Sequence, residues 1–375
     1  MSGPDRSARP LGVPTLEDLG DVDGRGVLVR GDLDLPSGAL ASAANERHLG
    51  VLLPTLRWLL DRGARVTVCG HSGALDGAGD EEAFARARHS LEEACPGVTV
   101  LPNLAGEPER SGDPQLVGEL VSGQDFYVNE AFQWCWLPLA SIEGPPATLP
   151  SAAGLRLAAD IALLEPFLHE PARPFVVVFG SDQSLSRLPG LRGLILRADA
   201  VLVGGAMALP FLQGIGSHPT EGAETELLRD CRACFGLARE IQHNVHLPSD
   251  LVWERPDGSV SLASSASAVE GLVSDIGPTT RLRFGEVLRG AGSVLWTGAL
   301  GRAEDPRFAA GTLAVADSLP PGRHVVLGGD ALLAILGDRL DSVTGVLSAT
   351  ESAVALLKDG DLPGLVALRR SNPGS

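Results

Sequence analysis

Residues 48–70 read HLGVLLPTLRWLLDRGARVTVCG, and one hydrophobic period gives way to another within them. Leu49, Leu52, Leu53, Leu56, Leu59 and Leu60 recur at the three- and four-residue spacing of an amphipathic helix. After Arg62 and Gly63 comes ARVTVCG, a short β-branched run closed by glycine, which reads as a buried strand. A helix leading through a tight turn into a strand is half of a βαβ unit, because parallel strands need a crossover connection. Upstream, GVLVR at 26–30 supplies the preceding strand; downstream, EEAFARARHSLEEAC at 81–95 is a second helix and GVTVL at 97–101 a third strand. The alternation restarts after HEPARP at 169–174, with FVVVFG, LRGLILRA, DAVLVGG and ALPFLQGIG. The fold class expected is therefore α/β, with two doubly wound, Rossmann-like parallel-sheet domains. LRLAADIALLEPFLHE, at 155–170, reads as a helix closed by prolines and joining residues 1–154 to residues 171–354.

Bulk properties narrow the function classes. A chain of 375 residues exceeds what one core usually supports, in keeping with two domains. Its 47 acidic against 30 basic residues give a net charge of -17, which argues against nucleic acid as a partner. No apolar run is long enough to span a membrane, and MSGPDRSARPLGVPTLEDLG lacks the apolar core of a signal peptide, so a cytoplasmic protein is expected. Five scattered cysteines do not form a disulfide framework, and Cys231 and Cys234, three apart in a helical pattern, read as packing rather than as a zinc site.

Ligands of open parallel sheets sit at the carboxyl ends of strands, so residues just after each apolar run carry the candidate chemistry. Asp32 and Asp34 follow the first strand in VRGDLDLP, spaced either for shared work on a cation or hydroxyl or for a turn. His71 follows the second strand, where a histidine more often satisfies neighbouring backbone than meets a ligand. Gly204 and Gly205 end one strand of the second half, and Gly328, Gly329 and Asp330 end another, where missing side chains let backbone amides approach phosphate. Asp330 can cap the next helix or hold a metal ion. Glu304, in VLWTGALGRAED, can face a ribose or water. In VNEAFQWCWLPLAS, residues 128–141, Trp134 and Trp136 either fill a core or line a pocket.

Taken in order, these pieces resemble the phosphoglycerate kinase family along nearly the whole chain. VLVRGDLDLP is similar to the family's R-V-D-F-N-V-P, HLGVLLPTLRWLLDRGARVTVCGHSG to its P-T-I…S-H-L-G-R-P, and FYVNEAFQWCWLPLASIEG to its Y-V-N-D-A-F-G-T-A-H-R-A-H-A-S…G. LVGGAMALPFL, LPSDLVW, SDIGPTT, VLWTGALGRAE, VVLGGDA and LLKDGDLPGLVAL continue the series. The resemblance implies a monomer with two domains on a hinge and a small-molecule ligand in the interdomain cleft. It also implies an acid-binding amino-terminal half, a carboxyl-terminal half binding ATP or ADP with Mg²⁺, and residues 355–375 returning to the amino-terminal domain.

Carried over by position, the resemblance implies catalytic roles for Asp32, Arg47 and Arg187, and substrate contacts for Asp34, His71, Trp134 and Trp136. It places Gly204, Gly205, Glu304, Gly328 and Gly329 at the nucleotide and Asp330 at the metal. The motifs are also depleted of cations. Family arginines fall on Ala74 and Ala105, H-R-A-H falls on Trp136, Leu137, Pro138 and Leu139, a lysine falls on Gln183, and a glycine-rich run falls on SATESAVAL with its Glu351. Arg110 and Arg302 are candidates to replace a lost cation. Removing one charged partner of a buried phosphate costs about 2–5 kcal/mol, and one charge-stabilising donor is worth about 10²–10³ in rate. The expectation is a repurposed enzyme acting on a less anionic, more apolar substrate, still a carboxylate phosphotransferase if the transfer chemistry persists. The alternatives are a pseudokinase and a slow phosphoglycerate kinase.

Overall fold

The computed structural model describes residues 9–34, 41–75, 79–181, 188–218, 225–267, 271–302 and 305–371, with backbone alone for 41–48, 181, 188, 330 and 331. The chain divides into two compact units, Met1–Glu165 with Glu351–Ser375, and Pro166–Thr350.

In the first unit, strands β1 (Gly26–Arg30), β2 (Arg65–Cys69), β3 (Thr99–Val100), β4 (Phe126–Asn129) and β5 (Ser151–Ala153) form one sheet in the order β3-β2-β1-β4-β5. Every pairing is parallel. β1, GVLVR, is buried along its whole length, as befits a strand covered on both faces. The helical stripe read from sequence is the core-facing side of helix Ala41–Leu60, with Leu52, Leu56 and Leu59 buried. Helix Glu81–Ala94 starts where the Asp80 carboxylate accepts the Ala83 N–H at 2.8 Å, and buries Phe84, Ala87 and Leu91. The carboxyl-terminal helices Glu351–Asp359 and Pro363–Arg370 complete this unit. Gly364 N–H donates to the Cys135 carbonyl at 3.0 Å, and a Cβ on Gly364 would lie 2.9 Å from Ile142 Cγ2.

In the second unit, β6 (Phe175–Ser181), β7 (Ala200–Gly205), β8 (Asn244–His246), β9 (Asp250–Glu254), β10 (Val260–Ser264), β11 (Leu272–Ile276), β12 (Ser293–Thr297), β13 (His324–Gly328) and β14 (Gly345–Val346) make two sheets. Six run parallel in the order β14-β13-β12-β6-β7-β8, and three antiparallel as β10-β9-β11. Residues along β10 alternate between exposed and half-buried, so one face of the small sheet is open to water. In register, Thr297 stands beside both Gly328 and Phe179, and Gly180 beside Gly204, which aligns the carboxyl ends of β13, β12, β6 and β7.

The five cysteines are free and buried, Cys231 and Cys234 among them, inside helix Glu226–Glu240. No helix among the described residues is long and apolar enough to cross a membrane.

Candidate functional site

β1 ends in a cation. Arg30 is fully buried, and a charge there must find partners. Its Nε donates to Ser141 Oγ at 2.7 Å, one Nη to the Gly31 carbonyl, and Nη2 to His71 Nδ1 at 2.8 Å. Ser141 in turn donates its backbone N–H to Glu109 Oε2 at 3.0 Å and its hydroxyl to Glu109 Oε1. Glu109 is fully buried too, so Ser141 links a buried anion to a buried cation.

A guanidinium can only donate, so His71 Nδ1 accepts and its proton sits on Nε2. That Nε2–H is buried and finds no partner among the described residues. Burial, then the Arg30 charge, hold the His71 pKa down to about 3, against the opposing pull of Asp32. The imidazole is therefore neutral at ordinary pH. Trp134 lies against it edge-on, ring centroids 4.2 Å apart, and donates its indole N–H to Asp32 Oδ1 at 3.1 Å.

Asp32 and Asp34 are joined through the backbone, Asp34 N–H donating to Asp32 Oδ1 at 3.3 Å. Asp34 Oδ1 accepts Gly73 N–H at 2.9 Å and Ser72 Oγ–H at 3.3 Å, while Asn103 Oδ1 accepts Ser72 N–H at 3.0 Å. The loop after β2 is thus clamped from both sides. Gly73 itself has φ +91°, and a Cβ there would lie 2.4 Å from Asp80 N. The two tryptophans part company. The 3₁₀ turn Phe132–Trp134 rotates the chain, leaving Trp136 41% exposed while Leu139 enters the core at 2%. Trp134, Trp136, Leu137 and Leu139 consequently do not form one continuous apolar wall. Arg110, a candidate replacement cation, pairs with Glu107 on the surface, and Arg302 pairs with Glu254 at 3.0 Å and Asp305 at 3.5 Å.

Next to this cluster, Glu130 accepts the N–H groups of Arg156 and Leu157, both at 3.0 Å, and the Thr55 hydroxyl. It closes the start of helix Leu155–Leu168, and burial raises its pKa to about 7.

At the carboxyl edge of the six-stranded sheet the glycines are mostly used for packing. Gly298–Leu300 crosses the strand ends: a Cβ on Gly180 would lie 2.2 Å from Ala299 O, and one on Gly204 2.4 Å from Leu300 Cδ2. Gly205 N–H already donates to Leu300 O at 3.1 Å, and the space above Gly328 is taken by Thr350 Cγ2, 2.6 Å from a Cβ. Of the glycine amides expected to meet phosphate, that of Gly205 is thus already bonded. Gly329, at φ +106°, does require glycine, and Thr297 Oγ1 is buried without a partner among the described residues. The described His, Cys, Asp and Glu side chains include no group of three placed for a metal ion. Arg187 and Glu304, and the side chains of Arg47 and Asp330, lie outside the described residues.

Sequence reasoning passed over Arg30, Glu109, Ser141 and Glu130. The one available signal was a charged residue closing an otherwise apolar strand. A family profile described as phosphoglycerate kinase matches residues 85–357. The chain is 32% identical to the phosphoglycerate kinase of Parafrankia sp., over 94% of its own length and 99% of that protein's. It belongs to the phosphoglycerate kinase family. The Frankia casuarinae enzyme of that name is 33% identical over the same shares. The solved phosphoglycerate kinases of Coxiella burnetii and Pyrococcus horikoshii superpose with TM-scores of 0.78 and 0.79 at 22% identity. They cover 95% and 96% of this chain, and 98% and 99% of their own, so the family fold extends across both units.

Proposed function

We propose that this member of the phosphoglycerate kinase family acts on an acid less anionic and more apolar than 3-phosphoglycerate. The observation that carries the reading is the bond from Trp134 Nε1 to Asp32, packed on a neutral His71. Asp32, which by family position contacts the substrate, is partly occupied by an indole donor. Arg30, the one buried cation nearby among the described residues, is taken up by Ser141, Gly31 and His71. With alanine at 74 and 105 and apolar residues at 137 and 139, the described cluster offers little to neutralise a phosphate.

In this reading Arg47 clamps the substrate carboxylate and Asp32 takes a substrate hydroxyl after Trp134 yields it. Thr297 and the Gly329 turn hold the nucleotide, with Arg187 and Asp330 serving phosphoryl transfer. ATP with Mg²⁺ would supply the phosphoryl group. The chain's own contribution is orientation: Asp34 and Asn103 fix the loop after β2, and Arg30 fixes the tautomer of His71.

The test is turnover of ATP and 3-phosphoglycerate beside the Frankia casuarinae relative. A kcat/KM at least about 100-fold lower is expected. A value within about tenfold would sink the reading in favour of ordinary phosphoglycerate kinase activity, which the 32–33% identity to relatives of that name favours.

A further inference from the structure

A polar depression lies between the carboxyl end of β8, which pairs with β7, and helix Pro278–Arg289 in the second unit. Its volume is about 190 Å³, and its walls are Val245, His246, Leu247, Thr280, Arg283 and Phe284. Thr280, Arg283 and Phe284 stand at i, i+3 and i+4, so they share one face of the helix. Phe284 is anchored in the core at 1% exposure, and the Thr280 hydroxyl is committed to Asp250, 2.6 Å from Oδ1. Both are fixed walls, which leaves His246 and Arg283 as the groups free to meet a ligand.

Neither side chain makes a hydrogen bond or ion pair with a described residue, and Glu286, one turn on from Arg283, does not pair with it. In a chain with 47 acidic and 30 basic residues, an arginine beside a histidine without a carboxylate is an unusual placement. It also has a cost: burial and the Arg283 charge together lower the His246 pKa. An anion seated between the two would turn that repulsion into two attractions.

The geometry points to this depression as a binding site for a tetrahedral oxyanion, phosphate or a phosphomonoester, held by the Arg283 guanidinium and the His246 imidazole. The guanidinium fork matches paired phosphate oxygens, and the imidazole adds one donor from the strand side. The volume admits a phosphate with a small group attached.

The test uses the full chain without nucleotide or acid substrate, so its outcome is independent of the reaction proposed above. Inorganic phosphate and methyl phosphate are titrated in turn and followed by the histidine resonances, with circular dichroism and thermal melting to verify folding. Saturable binding that shifts the His246 signals is expected, weakened about tenfold or more in Arg283→Gln and in His246→Gln. Arg283 is exposed, so its substitution leaves the fold intact even if the histidine variant does not. Tighter binding of methyl phosphate would identify the end of a phosphorylated metabolite, and tighter inorganic phosphate the free ion. Absence of saturation, or affinity unchanged in Arg283→Gln, overturns the assignment.

Discussion

At the scale of single residues, buried charge sets the state of the groups around Asp32. His71 is the sharpest case, since its neutral form is imposed by its burial and then by the Arg30 guanidinium donating to Nδ1. Its folded pKa, about 3, lies below the ordinary 6.5. The stabilisation from this shift is therefore complete above about pH 6.5 and is lost as pH falls toward 3. The His71 ring protons are expected to keep neutral-form chemical shifts from about pH 8 down to about pH 5; a midpoint above about pH 5.5 in an NMR titration would contradict the burial argument. Asp32, Asp34 and His71 stood out as candidates because each comes just after an apolar run. Arg30 did not, because its meaning lies in Ser141, 111 positions away, and in His71, 41 positions away. Nor could spacing reveal that Asp34 holds a loop while Asp32 meets an indole.

At the scale of elements, the turn Glu107–Arg110 and the helix Ala140–Glu143 are joined to β1 through one hydroxyl. Ser141→Ala would leave Arg30 and Glu109 each short of a partner in a dry interior, where polar groups are costly to strand. A loss of about 2–4 kcal/mol in chemical denaturation is expected, and a change below about 0.5 kcal/mol would show that water replaces the hydroxyl. The parallel strands were readable because double burial makes them continuous apolar runs. The antiparallel sheet was not foreseen: β10 alternates over only five residues, and β11 carries a register shift between Val273 and Asp275. The glycine pairs were ambiguous for a related reason. A missing Cβ looks the same in sequence whether a phosphate or Leu300 fills the space.

At the scale of the whole molecule, the order of short motifs along the chain made the family legible, because many weak matches in fixed order are jointly specific. Chemistry is less legible, since it turns on a few side chains that identity scores weigh no more than others. The two units have separate cores, and the first is completed by Leu356, Leu357, Leu362, Leu365 and Leu368, all buried. A chain ending at Thr350 is expected to keep the second unit folded while the first loses protection in hydrogen exchange. Unchanged protection of β1 and β2 would refute this. The return of Glu351–Ser375 also sets a schedule during biosynthesis. The ribosome finishes the half it began with only at the last helix, roughly ten seconds or more after that half has emerged. Throughout that wait the apolar strands of the earliest-made domain lack their final cover, so chaperone capture of the nascent chain should concentrate on the part synthesised first.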